Sequence, residues 1–318
     1  MQLAWVLPLT CSQEEYSQGK KEKIEQVRRR SIRNGRQVYA ENVLWGVEGL
    51  EEEPRNLLEE LVWAKEREIE VRRQRMPLAL MKSRLEKSDV GPTRNLDAIF
   101  SERASGESAL FFRYQRCSPE DTESAPTLAA VAAEKNDAKA IVVNAESRHF
   151  YGNYEDIRRV HETVACPVIC HDIFVYPWQL YDARFHRADA CVLITKVLGL
   201  KDTIYFAKAT SLLGMAPIIE VHDVPEIESL LDAKQRQRDD GQVRFLLFAK
   251  RDLNSLVPSL DDTTALLSRF AQDAKHLGIR LMIELPRERA PNAALLQELG
   301  EHGADAVLAS AMRDDRPL

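Results

Sequence analysis

The sequence predicts an α/β fold of the closed (β/α)8 barrel type with an N-terminal helical extension, and three observations carry that prediction. Eight short runs of aliphatic and β-branched residues recur at a steady spacing, their starts about 22 to 35 residues apart. The runs are apolar at both alternating positions, as parallel strands buried on two faces must be. Stretches with a helical period separate them, and a parallel neighbour can be reached only through a crossover of that length.

In chain order the runs begin near Ala109 (ALFFRYQ), Ala138 (AKAIVVNA), Cys166 (CPVICHDI), Ala188 (ADACVLIT), Ala216 (APIIEV), Phe245 (FLLFAK), Arg280 (RLMIEL) and Ala304 (ADAVLAS). The intervening helices are expected at Thr127 to Lys135, Tyr154 to Val164, Trp178 to His186, Thr203 to Leu213, Val224 to Ala233, Thr263 to Leu277 and Asn292 to His302. Gly214, Gly278 and Gly303 fall just past three of them, where a left-handed cap favours glycine. An open doubly wound sheet would want a Gly-rich phosphate loop after its first strand, and none is present. No nucleotide cofactor is therefore expected.

Ahead of the barrel, Pro54 to Arg75 reads as a long charged helix. Leu57, Leu58, Leu61, Val62 and Lys65 mark its periodic face, and Met76-Pro77 ends it. A second helix is expected from Leu78 to Glu86. Two regions result: a polar, basic extension over 1–50, and a barrel unit over 51–318 that includes the leading helices within 54–88. Between Lys20 and Arg36 there are eight Lys or Arg against two Glu, a solvated arm or a docking element for a protein partner.

The bulk numbers exclude several classes. A net charge of −6 with a pI near 5.8 gives no reason to expect a nucleic-acid partner. No apolar run approaches the roughly 20 residues of a membrane span. Met1 to Thr10 is apolar but has no basic residues before it, so it does not read as a secretory signal. The five cysteines, Cys11, Cys117, Cys166, Cys170 and Cys191, match no zinc framework and read as buried reduced thiols. Trp63, Trp178 and Phe150 read as packing residues.

Several segments, in the correct order, resemble the indole-3-glycerol phosphate synthase family in its cyanobacterial and plant form. PRNLLEELVWAKEREIEV resembles the helix that precedes the family's TIM barrel, and RRRSIRNG its short N-terminal extension. RHFYGNYEDI, HDIFVYPWQLYDAR, ADACVLITKVL, LLGMAPIIEVHD and KRDLNSLVPSLDDTT are similar to the segments after strands two to six. The resemblance spans roughly Pro54 to Arg313. It implies a site at the C-terminal ends of the strands. Its chemistry would be ring closure of an anilino deoxyribulose phosphate with loss of carbon dioxide and water, needing an acid, a base and a phosphate cradle. It implies no cofactor and no metal, and suggests a plastid (chloroplast stroma) setting, otherwise the cytoplasm.

Position by position, the likeness fails where the chemistry would be. The family's first strand reads roughly E-x-K-x-x-S-P; here Arg113 takes the carboxylate position, Gln115 the lysine, and Ser118 and Pro119 remain. His171 replaces the general-acid lysine after strand three, with Asp172 retained. Glu220 keeps the glutamate after strand five, ahead of Val221, His222 and Asp223. Ala249 replaces the asparagine after strand six, although Arg251 stands. After strand seven E-S-G becomes Glu284, Leu285 and Pro286; after strand eight the phosphate grip becomes Leu308, Ala309 and Ser310. Glu220 is thus read as the one catalytic-type position that keeps its residue, and Ser310 as the remnant of phosphate binding. Arg113 cannot accept a proton, Pro286 lacks an N–H, and Leu308 adds bulk where glycine lets backbone approach a ligand.

Three functions follow as expectations. The first is a catalytically inactive barrel with a structural, scaffolding or regulatory role in a protein complex. The second is an active synthase with relocated groups. The third is an enzyme on another substrate using His171 and Glu220 as an acid–base pair, which requires the two side chains to lie within reach. A metal site from His171, Asp172, Glu220 and His222 is chemically conceivable but is not expected. Arg113, Arg116 and Arg251 are expected to be exposed or paired, with anion attraction the lesser role.

Overall fold

In the computed structural model, residues 27–30, 45–47, 53–101, 106–116, 118–249, 251 and 259–310 are described. Most of the 1–50 extension, Cys11, Cys117, Lys250 and everything past Ser310 lie outside them. Eight parallel strands close into a barrel: β3 (Ala109–Tyr114), β4 (Ala140–Asn144), β5 (Val168–His171), β6 (Ala190–Ile194), β7 (Ala216–Val221), β8 (Phe245–Phe248), β9 (Arg280–Glu284) and β10 (Ala306–Ser310), with β10 pairing back onto β3. Every strand matches a predicted run.

The barrel interior is built from alternate residues along each strand. Its lower layers hold Ala109, Ala140, Ala190 and Ala306, then Phe111, Val142, Ile169, Val192, Ile218, Leu247, Met282 and Leu308, all buried. A short helix, α3 (Leu96–Ser101), closes the bottom by setting Phe100 against Phe111 and Phe245, with ring centroids 6.2 and 5.7 Å apart. One more step up each strand brings the polar residues Arg113, Asn144, His171, Glu220 and Glu284 to the mouth. The opposite parity packs outward against the helices: Ile141, Val143, Cys170, Cys191 and Leu193 in one cluster, Val221, Phe248, Ile283, Leu285, Val307 and Ala309 in another. Cys170 and Cys191 are buried free thiols, as the sequence led us to expect, whereas Cys166 is half-buried.

The outer helices are α4 (Ala125–Lys135), α5 (Tyr154–His161), α6 (Trp178–Phe185), α7 (Thr195–Leu212), α8 (Val224–Gln235), α9 (Leu260–His276) and α10 (Ala293–Glu301). Asn153, Asp223, Ser259 and Asn292 cap α5, α8, α9 and α10 through side-chain oxygens that accept backbone N–H groups. α7 differs from expectation, starting at Thr195 rather than Thr203. A turn follows β6 directly, and Gly199, at φ +70°, breaks the helical geometry before the main rod resumes.

Two helices precede the barrel, α1 (Leu57–Arg75) and α2 (Leu78–Lys87), close to the expected spans. Asn56 caps α1 by accepting from Glu59 N at 2.9 Å. Leu58, Leu61, Val62 and Ile69 are buried against Ile173, Val175, Trp178, Ile194 and Val197, so α1 lies across the mouth as a roof. Burial of each such side chain contributes about 1.5–3 kcal/mol. Trp63 and Trp178 are buried here, as anticipated, and Trp178 Nε1 donates to Met76 O at 2.7 Å.

The extension differs from the loose arm expected of it. β1 (Arg29–Arg30) pairs in parallel with β2 (Trp45–Val47). Arg28 grips Glu59 of α1, Arg29 is buried against Glu66 and donates to Val175 O, and Val27 N donates to Lys196 O. Trp63 Nε1 donates to Arg28 O at 2.8 Å. Two arginines of the basic run are therefore engaged inside the molecule, because α1 offers buried carboxylates that need cationic partners.

Candidate active site

An ion-pair chain rings the mouth. Arg113 Nη1, from β3, donates to Glu284 Oε1 of β9, and Arg251 Nη2 donates to the other oxygen of the same carboxylate. Arg251 Nε also lies 3.3 Å from Glu220 Oε1 of β7. His222 Nε2 contacts that oxygen at 3.1 Å, and His171 Nε2, from the end of β5, reaches Glu220 Oε2 at 3.3 Å. His222 Nδ1 lies 3.5 Å from Glu226, which stands 3.6 Å from Lys196. Alternation along β7 puts Glu220 and His222 on one face and turns Val221 outward.

These neighbours set the charge states. Burial pushes the Glu220 carboxyl up, yet Arg251, His171 and His222 outweigh it and hold the group well below the usual range. Burial, with Arg113 close by, pulls His171 below its ordinary value against the attraction of Glu220, so at neutral pH it is the free base. Burial acts in the same sense on His222, but its hydrogen bonds to Glu220 and Glu226 prevail and raise it to about 9. With its proton on Nε2 facing Glu220, His171 keeps a lone pair on Nδ1, which is buried without a partner.

A second cluster anchors the roof. Lys65 of α1 is 1% exposed, and its Nζ lies 3.0 Å from Asp172 Oδ1 and 2.9 Å from Glu68. Burial opposes the ammonium charge, but Asp172, Glu68 and Glu146 raise its pKa above the ordinary lysine value. Asp172 also accepts from Tyr154 OH at 2.7 Å and from Ile173 N at 2.8 Å. After β4, Glu146 accepts the backbone N–H groups of Arg148, His149 and Phe150. Gly152 makes that loop possible: a Cβ there would press on Asn144 O and stand 2.9 Å from Ala145 Cα.

Between roof and ring lies a cavity of about 50 Å³, lined by Leu58, Leu61, Phe150, Ile173 and Ile194 above and by Arg113, Gln115, Asn144, His171, Glu220 and Arg251 below, with Glu146, Asp172 and His222 at its edges. Sites for drug-sized ligands are roughly 300–1,000 Å³, whereas one water needs about 10–15 Å³.

The predicted site residues sort into three groups. His171 and Glu220 are brought together, and Arg113 and Gln115 line the cavity with them. Ala249 is buried in the inner layer. Leu285, read from the resemblance as taking a site position after strand seven, packs in the outer layer with the α9 and α10 side chains, because its parity is opposite to that of Glu284. Leu308 packs inside the barrel below the mouth. Ser310 ends β10 beside Arg113 in register, and Pro286 follows Leu285, whose N–H donates to Leu308 O. Neither Ser310 nor Pro286 is among the residues that line the cavity. Arg113, Arg116 and Arg251 are paired with carboxylates; Arg113 and Arg116 are buried. Two important residues went unassigned from sequence. Glu284 matched the family motif yet received no role, and Lys65 was seen only as part of a helix face, where a lysine between apolar residues was the available signal.

An eight-stranded parallel barrel with its polar side chains converging at the C-terminal strand ends defines the class: a barrel of the enzyme type, its site under a helical roof. The family profile described as Indole-3-glycerol phosphate synthase matches residues 58–282, and the chain belongs to that family. Similar proteins, each named indole-3-glycerol phosphate synthase, include one from Microcystis aeruginosa (strain NIES-843 / IAM M-2473), 29% identical over 277 residues, covering 85% of this chain and 88% of the relative. Another, from Acaryochloris marina (strain MBIC 11017), is 29% identical over 275 residues, covering 85% and 86%. A third, from Crocosphaera subtropica (strain ATCC 51142 / BH68), is 30% identical over 270 residues, covering 82% and 87%. No helix among the described residues is long and apolar enough to cross a membrane.

Proposed function

We propose that this chain is a non-catalytic member of the synthase family, its barrel serving as a structural, scaffolding or regulatory subunit of a protein complex. One observation carries the reading: Arg113 and Arg251 close on Glu284, and Arg251 also on Glu220, so that the mouth's carboxylates are drawn into ion pairs with its own arginines. Glu220, held well below the usual carboxylate range by Arg251, His171 and His222, is a poor proton acceptor, and Arg113 stands where ring closure would want a base. The preserved interior supports the reading too, since packing determines the barrel while the strand ends determine chemistry. The rest of the basic run, over 20–26 and 31–36, is the docking element expected for a partner. Likeness to cyanobacterial synthases supports a plastid setting, which imaging of a fluorescent fusion would test.

The 3.3 Å approach of His171 to Glu220 favours a second reading, in which a free-base histidine oriented by a carboxylate works on another substrate. Purified full-length protein separates these possibilities. Calorimetric titration with the family's anilino deoxyribulose phosphate should give no binding tighter than millimolar, and the chain should not rescue a tryptophan auxotroph. Micromolar binding, or ring closure at an ordinary enzymatic rate, would refute the non-catalytic assignment. A metabolite screen in which His171→Asn abolishes a turnover would establish the second.

A further inference from the structure

Arg113 has an edge that the ion-pair chain does not use. Its Nη1 serves Glu284, whereas Nε and Nη2 are buried and have no hydrogen-bond partner among the described residues. Those two N–H groups form the side-on fork that matches a planar carboxylate. The same fork is filled elsewhere in this molecule. Arg116 Nε and Nη2 hold the two oxygens of Asp156 at 2.7 Å each, and Arg28 Nε and Nη2 hold Glu59 at 3.0 and 2.8 Å. Leaving a buried guanidinium edge unpaired is costly, so an unfilled fork at 4% exposure asks for an anion.

The surroundings say which anion. Arg113 lines the cavity together with His171, whose Nδ1 is also buried and unpaired. Of the carboxylates that line the cavity, Glu146 accepts three backbone N–H groups, Asp172 meets Lys65, Tyr154 and Ile173 N, and Glu220 faces Arg251, His222 and His171, so none of them fills the fork. Leu58, Ile173 and Ile194 line the same space, and the other cations that line it, Arg251 and His222, already face Glu220. About 50 Å³ holds roughly three to five waters, the space of a small anion.

We propose that the mouth of this barrel is a binding site for a small planar oxyanion of the carboxylate class, held bidentately by the Nε–Nη2 edge of Arg113. Bicarbonate and a short-chain acid of acetate size share that chemistry. Bicarbonate would use its hydroxyl to donate to the lone pair on His171 Nδ1, whereas the acid would set its methyl group against the apolar roof. The site goes beyond the non-catalytic reading and stands whether or not the barrel turns over a substrate.

The test titrates full-length protein, at constant ionic strength in chloride buffer, with sodium acetate and sodium bicarbonate in separate arms, and with sodium sulfate as a tetrahedral control. Binding is read from calorimetry and from the line width of the ¹³C-labelled anion. The expected result is saturable one-site binding of acetate or bicarbonate, weakened at least about tenfold in R113K, which keeps the charge beside Glu284 but loses the fork. The stronger arm identifies the source of the anion. No saturable binding in either arm, or equal binding by R113K, overturns the proposal. If R113K does not fold, a crystal of the wild-type protein grown with acetate decides: a carboxylate on Nε and Nη2 upholds the site, and density elsewhere or none overturns it.

Discussion

Glu59→Gln should release the N-terminal strap from the roof helix. Glu59 is fully buried at the start of α1, and its oxygens accept from Arg28 Nε (3.0 Å), Arg28 Nη2 (2.8 Å), Arg28 N (2.9 Å) and Arg55 N (2.7 Å). Gln keeps one oxygen but turns an amide donor toward this ring of donors. Hydrogen bonds to a charged group contribute roughly 1.5–3 kcal/mol each, and the partial exposure of Arg28 reduces the sum, so a loss of about 2–3 kcal/mol is expected. At about 1.4 kcal/mol per factor of ten, the open strap becomes about 30- to 150-fold more populated. Limited trypsin digestion reads that population when reclosing is faster than cleavage, and mass spectrometry reports cuts after Arg28 and Arg29 specifically. Cleavage there should accelerate by that factor in the variant. An unchanged rate at those two bonds would refute the argument that Glu59 holds the strap. Burial pushes Glu59 up, but Arg28 and Arg55 hold it at about 2, below its ordinary 4.5. Its stabilising contribution is thus present above pH 4.5 and is lost as pH falls toward 2. In the wild type, the Trp63 indole N–H resonance, which reports the bond to Arg28 O, should move over that window; in Glu59→Gln it should not.

The remaining predictions concern the mouth and the loop beside it. Glu284→Leu leaves the Arg113 and Arg251 guanidiniums facing one another and should cost about 3–5 kcal/mol in urea unfolding, most of it recovered by adding Arg113→Met. If the double variant is no more stable than the single, the pairing is not what the carboxylate provides. The raised pKa of His222 means that its contribution is fully present below pH 6.5 and is lost as pH rises through about 9. The urea midpoint should therefore fall between pH 7 and 10, and His222→Asn should flatten the fall; the same slope in both proteins would contradict this assignment. Gly152→Ala drives a methyl group into the Asn144 carbonyl and should destabilise by about 1–3 kcal/mol, with loss of amide protection at Arg148 to Phe150 in hydrogen exchange. Unaltered protection would show that the loop has room to yield.

All eight strands were legible in the sequence because a parallel strand buried on both faces leaves a short contiguous apolar run, and here each run is rich in aliphatic and β-branched residues and is followed by a stretch of helical period. The roof helix was legible for a related reason, since its apolar period and the Pro54 start are local signals. The placing of Arg113, Gln115, His171 and Ala249 at strand ends could also be read along the chain, as each lies at a short distance from a strand run. Pairing was another matter. The clamp of Arg113 and Arg251 on Glu284 joins residues 171 and 33 apart, and the Lys65 bridge to Asp172 joins the roof to the barrel. Which oxygen meets which guanidinium depends on strand stagger and helix seating, and these emerge only when the whole interior packs. The outward turn of Leu285 and the inward docking of Arg28 and Arg29 have the same origin: composition sets the charges available, whereas burial decides which must find partners.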